Sequence, residues 1–239
     1  MRKETLKRVL AVSLCVVLSI VLLTACGSKE KKAMKSAVET ANALIEKNEQ
    51  ALDPATKDNL VKLVESSKDA KDDSAYQKAA DDIIAATKSY EDSIKQLKQV
   101  TNPAETFIVD RVKSVDSITD VEAATEQTDP NTTMNKPGSY TSYIAMKSSL
   151  VNDEYGLYTG KTPVQAGTSG GAVVEAYPTA EDAEKRNTYL SSFDGMGALS
   201  SGGHKVIGTL VVRTSDQLTA TQQKELEQNI INALIRLDN

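Results

Sequence analysis

The chain has 239 residues, of which 26% are charged, 40% hydrophobic and 4% aromatic, and its formal net charge at pH 7 is −5. This composition excludes a collagenous chain, a disulfide scaffold and a low-complexity tail. The length is typical of one or two domains.

The first 25 residues have the features of a secretory signal. Four basic residues, Arg2, Lys3, Lys7 and Arg8, precede an almost wholly apolar run over residues 9–23. This run is shorter than the roughly 20 apolar residues that a membrane-spanning helix needs. We therefore predict that residues 1–25 are a signal peptide and that the mature chain folds outside the cytoplasm.

The signal ends in Leu23-Thr24-Ala25-Cys26, which resembles the lipobox of bacterial lipoproteins. The resemblance implies cleavage between Ala25 and Cys26 and a diacylglycerol thioether on Cys26. Two or more acyl chains such as palmitate anchor a protein stably, so we expect a lipid-anchored protein on the extracytoplasmic side of the cell membrane. The alternatives are an ordinary signal peptide or an uncleaved anchor helix in which Cys26 is incidental.

Cleavage also changes the chemistry of the mature chain. Cys15 leaves with the signal and Cys26 is acylated, so no thiol remains for redox chemistry or metal binding. Four Lys/Arg and one Glu are removed, which leaves 24 basic and 32 acidic residues and a formal charge of −8. This acidic balance argues against nucleic acid or anionic lipid headgroups as the main partner.

Residues 26–32 are predicted to form a lipidated tether, and residues 33–101 a three-helix bundle. The first helix has apolar residues at helical spacing, the second begins at Asp53-Pro54, and Ser74 with Gln77 predicts a capping box for the third. The third helix carries a heptad-like seam, formed by Tyr76, Ala80, Ile83, Thr87, Tyr90, Ile94 and Leu97.

Leu60, Leu63 and Val64 have an apolar spacing that is followed by a second apolar pattern over residues 79–86. In this spacing the bundle resembles small three-helix modules of Gram-positive surface proteins, including FIVAR-type repeats. The resemblance implies either binding of host proteins or glycans, or a spacer. A helical stalk that holds the next domain away from the membrane is the simpler interpretation.

Residues 102–239 predict an α+β domain with a mainly antiparallel sheet and helices packed on one face, because strands and helices mix without regular alternation. Asn102 is the predicted N-cap of its first helix. Strands are predicted over residues 121–125, 140–147, 172–177 and 205–213, and further helices after the N-caps Thr179 and Thr219.

A series of motifs in this half falls in a recognisable order. They include Asp129-Pro130-Asn131, Asn135-Lys136-Pro137-Gly138, Gly167-Thr168, Gly170-Gly171, Val174-Glu175, Tyr177, Arg186-Asn187, Phe193-Asp194-Gly195, His204 and Arg213-Thr214-Ser215. Together they resemble an uncharacterised C-terminal domain of lipoproteins from Gram-positive anaerobes, a resemblance that implies no activity.

The segment from Gly167 to Gly171 contains Ser169 in a Gly-x-Ser-x-Gly pattern, and Asp194 and His204 follow in the order of a hydrolase triad. A cell-envelope hydrolase using Ser169 and His204 is therefore the alternative function. A nucleophile elbow needs a strand before the serine and a helix after it, whereas here a strand is predicted after it. We interpret the segment as a glycine-rich turn and predict no enzymatic activity.

No metal or cofactor site is predicted. A single His without a usable Cys argues against zinc, and the segment that begins at Asp129 lacks the later ligands of a calcium loop. No nucleotide-binding fingerprint is present.

Tyrosine is the remaining unusual feature, since six of the eight Tyr lie between Tyr140 and Tyr189. Tyr offers an apolar face with a polar tip, which suits glycan or peptide contact, although some of these residues could equally be core residues. We expect ligand contact at Tyr155 and Tyr158, in the loop of residues 152–171. The predicted function is a binding or structural surface module whose partner is a cell-wall glycan or a surface protein.

Overall fold

The computed structural model describes residues 27–196 and 200–238, which form seven helices and a five-stranded sheet. The helices are α1 Lys29–Glu46, α2 Ala55–Ser66, α3 Asp73–Gln99, α4 Glu105–Val112, α5 Pro163–Ala166, α6 Ala180–Ser191 and α7 Ala220–Ile235. The strands are β1 Ile118–Ala123, β2 Ser142–Ser148, β3 Gly171–Ala176, β4 His204–Ile207 and β5 Leu210–Thr214. Two short 3₁₀ turns cover Ser67–Asp69 and Gly167–Gly170.

Helices α1, α2 and α3 share one apolar core, as the sequence predicts. The core comprises Ala37, Ala41, Leu44, Leu60, Val64, Ile83, Ala86, Tyr90 and Ile94. The seam of α3 is confirmed at its five central positions, which are buried from Ala80 to Ile94. Tyr90 extends its hydroxyl out of this core and donates a 2.7 Å hydrogen bond to the Glu49 carbonyl.

Three helix starts differ from the sequence prediction. Helix α1 begins at Lys29, inside the predicted tether, because the Ser28 hydroxyl accepts a hydrogen bond from Lys31 N and caps it. Asp72 caps α3 in place of the predicted Ser74. Asn102 is not an N-cap, since it adopts a left-handed φ of 48° and α4 starts only at Glu105.

The sheet is antiparallel throughout, with the strand order β1-β2-β3-β5-β4. The predicted α+β class is confirmed. The single strand predicted over residues 205–213 is wrong, because Gly208 and Thr209 turn the chain between Ile207 and Leu210, which pair with each other. Gly208 has a φ of +61°, and a Cβ atom there would lie 2.4 Å from the Val100 carbonyl oxygen.

Helices cover both faces of the sheet, and not one face as predicted. Alternate strand residues such as Ile144, Val174 and Val212 pack with α4 and α7 in one core. The intervening residues, such as Val173 and Val211, pack with α5 and α6 in a second core. All six positions of β3 are buried. Since successive side chains of a strand point to opposite faces, a strand buried at every position must be covered on both faces of the sheet.

The bundle joins the sheet domain through the end of α3. Val100 belongs to the core beneath α4 and α7, and its carbonyl accepts a 3.0 Å hydrogen bond from Thr209 N. Gln99 Nε2 donates to the Leu234 carbonyl at 2.6 Å. We call the end of the sheet marked by Gly208 and Thr209 the turn end. The opposite end, where β2 and β5 finish and β3 and β4 begin, is the loop end.

Candidate functional site

The fold brings the four sequence-predicted site residues of the α+β domain to the loop end of the sheet. The strand register shows why, since Lys147 pairs with Gly171, Ala172 with Thr214, and Arg213 with His204. Tyr155 and Tyr158 follow β2, Ser169 directly precedes β3, and His204 opens β4. These residues are separated by up to 49 positions in sequence, so only the pairing of the strands groups them.

The loop that follows β2 is fastened by two side chains. The Asp153 carboxylate accepts hydrogen bonds from Tyr158 N at 3.1 Å and from Thr159 Oγ1 at 2.9 Å. Burial raises the pKa of Asp153, but these hydrogen bonds outweigh it, so the net shift is downward. The Lys147 ammonium, projecting from β2, donates to the carbonyl oxygens of Tyr158 and Lys161. The loop is therefore tied to itself and to the sheet.

This fastened loop presents an apolar tip to solvent. Tyr155 is 82% exposed and Leu157 is 57% exposed. Tyr158 is half-buried instead, and the Lys161 ammonium lies 5.8 Å from the centre of its ring. The structure thus separates the two tyrosines, with Tyr155 available for contact and Tyr158 stabilising the loop.

A second exposed apolar group lies at the same end of the sheet, where α6 finishes. Tyr189 and Phe193 meet edge to face with their ring centres 5.1 Å apart. Tyr189 is 57% exposed and Met196 is 52% exposed. The guanidinium of Arg186 lies 5.6 Å from the centre of the Tyr189 ring. The high number of tyrosines in this half of the chain is the sequence feature that points to such a group. The position of the group depends on the packing of α6.

A buried ion cluster lies between the sheet and α6, and sequence reasoning missed it. Glu175 on β3 is fully buried, and Arg186 binds it through two hydrogen bonds of 2.8 and 2.9 Å. Arg213 donates a third at 2.9 Å, and the Tyr177 hydroxyl a fourth at 2.8 Å. Both carboxylate oxygens are therefore occupied, and the cluster fixes α6 against the central strands.

The electrostatics of the cluster keep Glu175 ionised. Burial by itself raises the pKa of Glu175, but the hydrogen bond from Arg186 and the charges of both arginines outweigh it. The net shift of the pKa is downward. Burial raises the pKa of the neighbouring Tyr143 to about 12, so its hydroxyl stays protonated beside Gly167 of the glycine-rich turn.

Asp129 stabilises its own loop through hydrogen bonds. Its carboxylate accepts from Thr133 N at 2.7 Å, from Met134 N at 2.8 Å, and from the hydroxyl of Tyr140. Burial by itself would raise the pKa of Asp129, but the hydrogen bonds from Tyr140 and from the backbone outweigh it. The net shift of the pKa is downward. In residues 27–196 and 200–238, no group of three or more His, Cys, Asp and Glu side chains could hold a metal ion.

Ser169 and His204 both lie at the loop end of the sheet, but the hydrogen bonds of the His204 ring go to other residues. Both ring nitrogens of His204 have other partners, since Nδ1 lies 2.7 Å from Asn187 Oδ1 and Nε2 lies 3.1 Å from Asp194 Oδ1. Ser169 sits in a 3₁₀ turn that leads into β3, the reverse of the strand-to-helix order of a nucleophile elbow. A Cβ atom at Gly171 would lie 2.7 Å from Ser148 N, so close strand packing accounts for that glycine.

The predicted lipidation site Cys26 and the cleavage site after Ala25 lie outside the described residues. Of the helices in the described ranges, none has both the length and the apolar character to cross a membrane. In comparisons with known proteins, the chain matches no protein-family model, no curated protein and no solved structure.

Proposed function

We propose that this chain is a lipid-anchored extracytoplasmic protein that binds a ligand at the loop end of its sheet. The observation that carries the proposal is the pair Tyr155 and Leu157, exposed to 82% and 57% on a loop that Asp153 and Lys147 fasten. Aromatic side chains held in place on a rigid scaffold are typical of binding surfaces, because little conformational entropy is lost on contact.

The arrangement of the two ends of the sheet supports this proposal. Helix α3 meets the sheet domain at the turn end, through Val100 and Thr209. The exposed tyrosines lie at the loop end, so the junction with the bundle leaves them uncovered. The bundle lies between the proposed lipid anchor and the turn end of the sheet. It could therefore act as a stalk that holds the loop end away from the membrane.

The ligand class follows from the chemistry of the exposed side chains. Tyr155 and Tyr189 each offer a ring face and a hydroxyl, a combination that suits the apolar face and the hydroxyl groups of a sugar ring. We therefore propose a cell-wall glycan as the ligand. A surface protein that contacts Leu157 and Met196 is the outcome to be distinguished by experiment.

Thermal unfolding of residues 27–239 against cell-wall glycan fragments and unrelated peptides tests the proposal. A ligand at one hundred times its dissociation constant adds about 2.7 kcal/mol of stability, which raises the melting temperature visibly. We expect the shift with a glycan fragment and its loss in Tyr155→Ala. Ile84→Ala is the matched control, since Ile84 is 58% exposed on α3. A shift with peptides alone, or one that Tyr155→Ala leaves intact, would overturn the proposed site.

The anchor is tested separately in cells that export the protein. We expect acyl-chain labelling of the wild type and none of Cys26→Ala. The mass of the N-terminal peptide should show a modified Cys26 as the first residue. An unmodified Cys26, or a mature chain that begins elsewhere, would refute the lipid anchor without touching the ligand site.

A further inference from the structure

The first two turns of α1 carry an unusual concentration of positive charge. Lys29, Lys31, Lys32 and Lys35, together called the α1 lysines, accompany one acidic residue, Glu30. The local formal charge over residues 27–35 is therefore +3, whereas the mature chain as a whole carries −8. Overall charge thus conceals a basic region at one end of the bundle.

The helix places the α1 lysines away from the bundle core. At 3.6 residues per turn they fall within an arc of about 160° on α1. Met34, Ala37 and Ala41 are buried on the opposite side of the helix. Lys29, Lys32 and Lys35 are exposed, and the Lys31 ammonium lies 5.4 Å from the centre of the Tyr76 ring, at the start of α3.

The acidic groups at this end of the bundle reduce this charge without reversing it. The connection between α2 and α3 lies beside the start of α1, as the contact between Lys31 and Tyr76 shows. Residues 65–73 carry four carboxylates and two lysines, a formal charge of −2. Glu65 pairs with Lys68 at 2.6 Å, and the Asp72 carboxylate caps α3. The positive side of this end is therefore the face of α1.

Covalent distance fixes where this face must lie. Because α1 begins at Lys29, only Gly27 and Ser28 separate the helix from Cys26. Three residues of fully extended chain span at most about 11 Å, which is close to the Debye length of about 8 Å at physiological ionic strength. If Cys26 carries the lipid, the α1 lysines lie within the range of the charges on the headgroups.

We propose that the α1 lysines bind anionic phospholipid headgroups beside the lipid anchor. This inference rests on the lipid anchor of the proposed function and adds a second, electrostatic contact with the same membrane. Each lysine near an anionic surface contributes favourably and additively, and the contact fixes which end of the bundle rests on the bilayer. The acidic remainder of the chain is repelled by the same surface.

The direct test uses residues 27–239, which contain all three apolar cores but no lipid, so binding does not depend on the anchor. Co-sedimentation is measured with vesicles of phosphatidylcholine and with vesicles that also contain phosphatidylglycerol. We expect binding only to the anionic vesicles and a loss of binding as salt screens the charges. Equal binding to both vesicles, or no binding to the anionic ones, would overturn the proposal.

Two variants of equal charge locate the contact. In the first, the α1 lysines are changed to Gln; in the second, four exposed lysines of the sheet domain, Lys113, Lys136, Lys205 and Lys224, are changed to Gln. We expect the first variant to bind anionic vesicles at least about tenfold more weakly and the second to bind nearly as the wild type does. Equal losses in the two variants would show that only net charge matters, which contradicts the proposal.

The lipidated mature protein gives an independent readout, because the chain contains no Trp. A tryptophan introduced by Ala33→Trp on α1 should be quenched by brominated lipids more strongly in anionic than in neutral vesicles. The same substitution combined with the four Lys→Gln changes should remove the difference. Quenching that does not depend on lipid charge would refute the contact, whereas failure of the anchor would appear separately as an unmodified Cys26.

Discussion

The bundle and the sheet domain pack their interiors in different ways. The bundle core consists of apolar side chains and Tyr90, whose hydroxyl reaches the backbone of Glu49 at the edge. The core beneath α6 instead surrounds a fully buried Glu175 that two arginines and Tyr177 bind. The sheet domain thus contains a buried charge, whereas the charged side chains of the described part of the bundle lie at its surface.

This difference determines how each region is stabilised. An apolar core gains free energy roughly in proportion to the area it buries, so no single side chain leaves an unpaired charge when it is removed. A buried ion cluster gains only if every member is present, because removal of one partner leaves an unpaired charge in a medium of low polarity. The bundle should therefore tolerate substitution gradually, and the core beneath α6 should respond sharply.

Removal of the central carboxylate should have the largest effect. Glu175→Ala leaves the partly buried Arg186 and Arg213 without their partner, and we expect a loss of about 3–5 kcal/mol in the free energy of unfolding. Denaturant unfolding measures it. Replacement of Glu175, Arg186 and Arg213 together by Met should recover much of the loss. A loss below about 1 kcal/mol in Glu175→Ala would show that the cluster is incidental.

Truncation of an apolar side chain in the bundle should reduce the free energy of unfolding by a comparable or smaller amount. The cause there is lost packing and not an unpaired charge. Leu60 is fully buried among α1, α2 and α3, and Leu60→Ala should cost about 2–5 kcal/mol through lost burial and a cavity. Because no ion pair is broken, Leu60→Met should cost under about 1.5 kcal/mol. Hydrogen exchange should show the loss in amides of the bundle first. Equal loss of protection in β3 would contradict a local effect and would mean that the junction at the turn end couples the two regions fully.

The junction between the two regions can be broken at a glycine. Gly208→Ala introduces a Cβ atom 2.4 Å from the Val100 carbonyl oxygen at a φ of +61°. We expect a loss of about 1–3 kcal/mol from backbone strain and a further loss from the clash with Val100, together with separation of the thermal transitions of bundle and sheet domain. Gly138→Ala is the control, since its φ is +76° but no atom lies within 4 Å of the added Cβ. If both variants behave alike, strain alone explains the result and contact with Val100 contributes nothing.

Acid should destabilise the sheet domain through its buried carboxylates. The pKa values of Glu175 and Asp129 are lowered in the folded protein. A lowered pKa means that the stabilisation is fully present above the ordinary carboxylate range and is lost as the pH falls through the folded-state value. We expect the sheet domain to lose stability below about pH 4.5, and Glu175→Gln to flatten that dependence. An unchanged pH profile in Glu175→Gln would assign the acid sensitivity to other groups.

The smallest effect on stability is expected at the exposed loop tip. Tyr155 is 82% exposed, so Tyr155→Ala should change the free energy of unfolding by no more than about 0.5 kcal/mol. Tyr158→Ala should cost more, because its half-buried ring packs within the loop that Asp153 fastens. Thermal unfolding of the two variants side by side tests this order, and a reversed order would contradict the separate roles assigned to the two tyrosines.

Local patterns in the sequence predict much of this fold. The caps at Thr179 and Thr219 and the seam of α3 are confirmed, because each depends on residues three or four positions apart. The turn at Gly208 was missed, since it lies within an apolar run that resembles one strand. Asn102 has the residue type of a cap, but its backbone is left-handed and its N–H donates to Thr209 Oγ1, a residue 107 positions away that no local pattern indicates.

The candidate site is less accessible to sequence reasoning. Tyr155 stands out in a loop rich in glycine and polar residues, and the structure places it on the surface. Glu175, Arg186 and Arg213 gave no sign of forming a cluster, because the contacts join β3, α6 and β5 across up to 38 positions. Pairing at that distance depends on the strand order, which no local pattern encodes.

The direction of the helices in the bundle has a mechanical consequence. Helices α1 and α3 run parallel, with their first turns adjacent at Lys31 and Tyr76, and α3 is about 40 Å long. A ligand fixed in the wall and an anchor held in the bilayer would pull the start of α1 and the end of α3 in opposite directions along the helix axes. Such a load would shear the whole core between them at once instead of peeling it open one contact at a time.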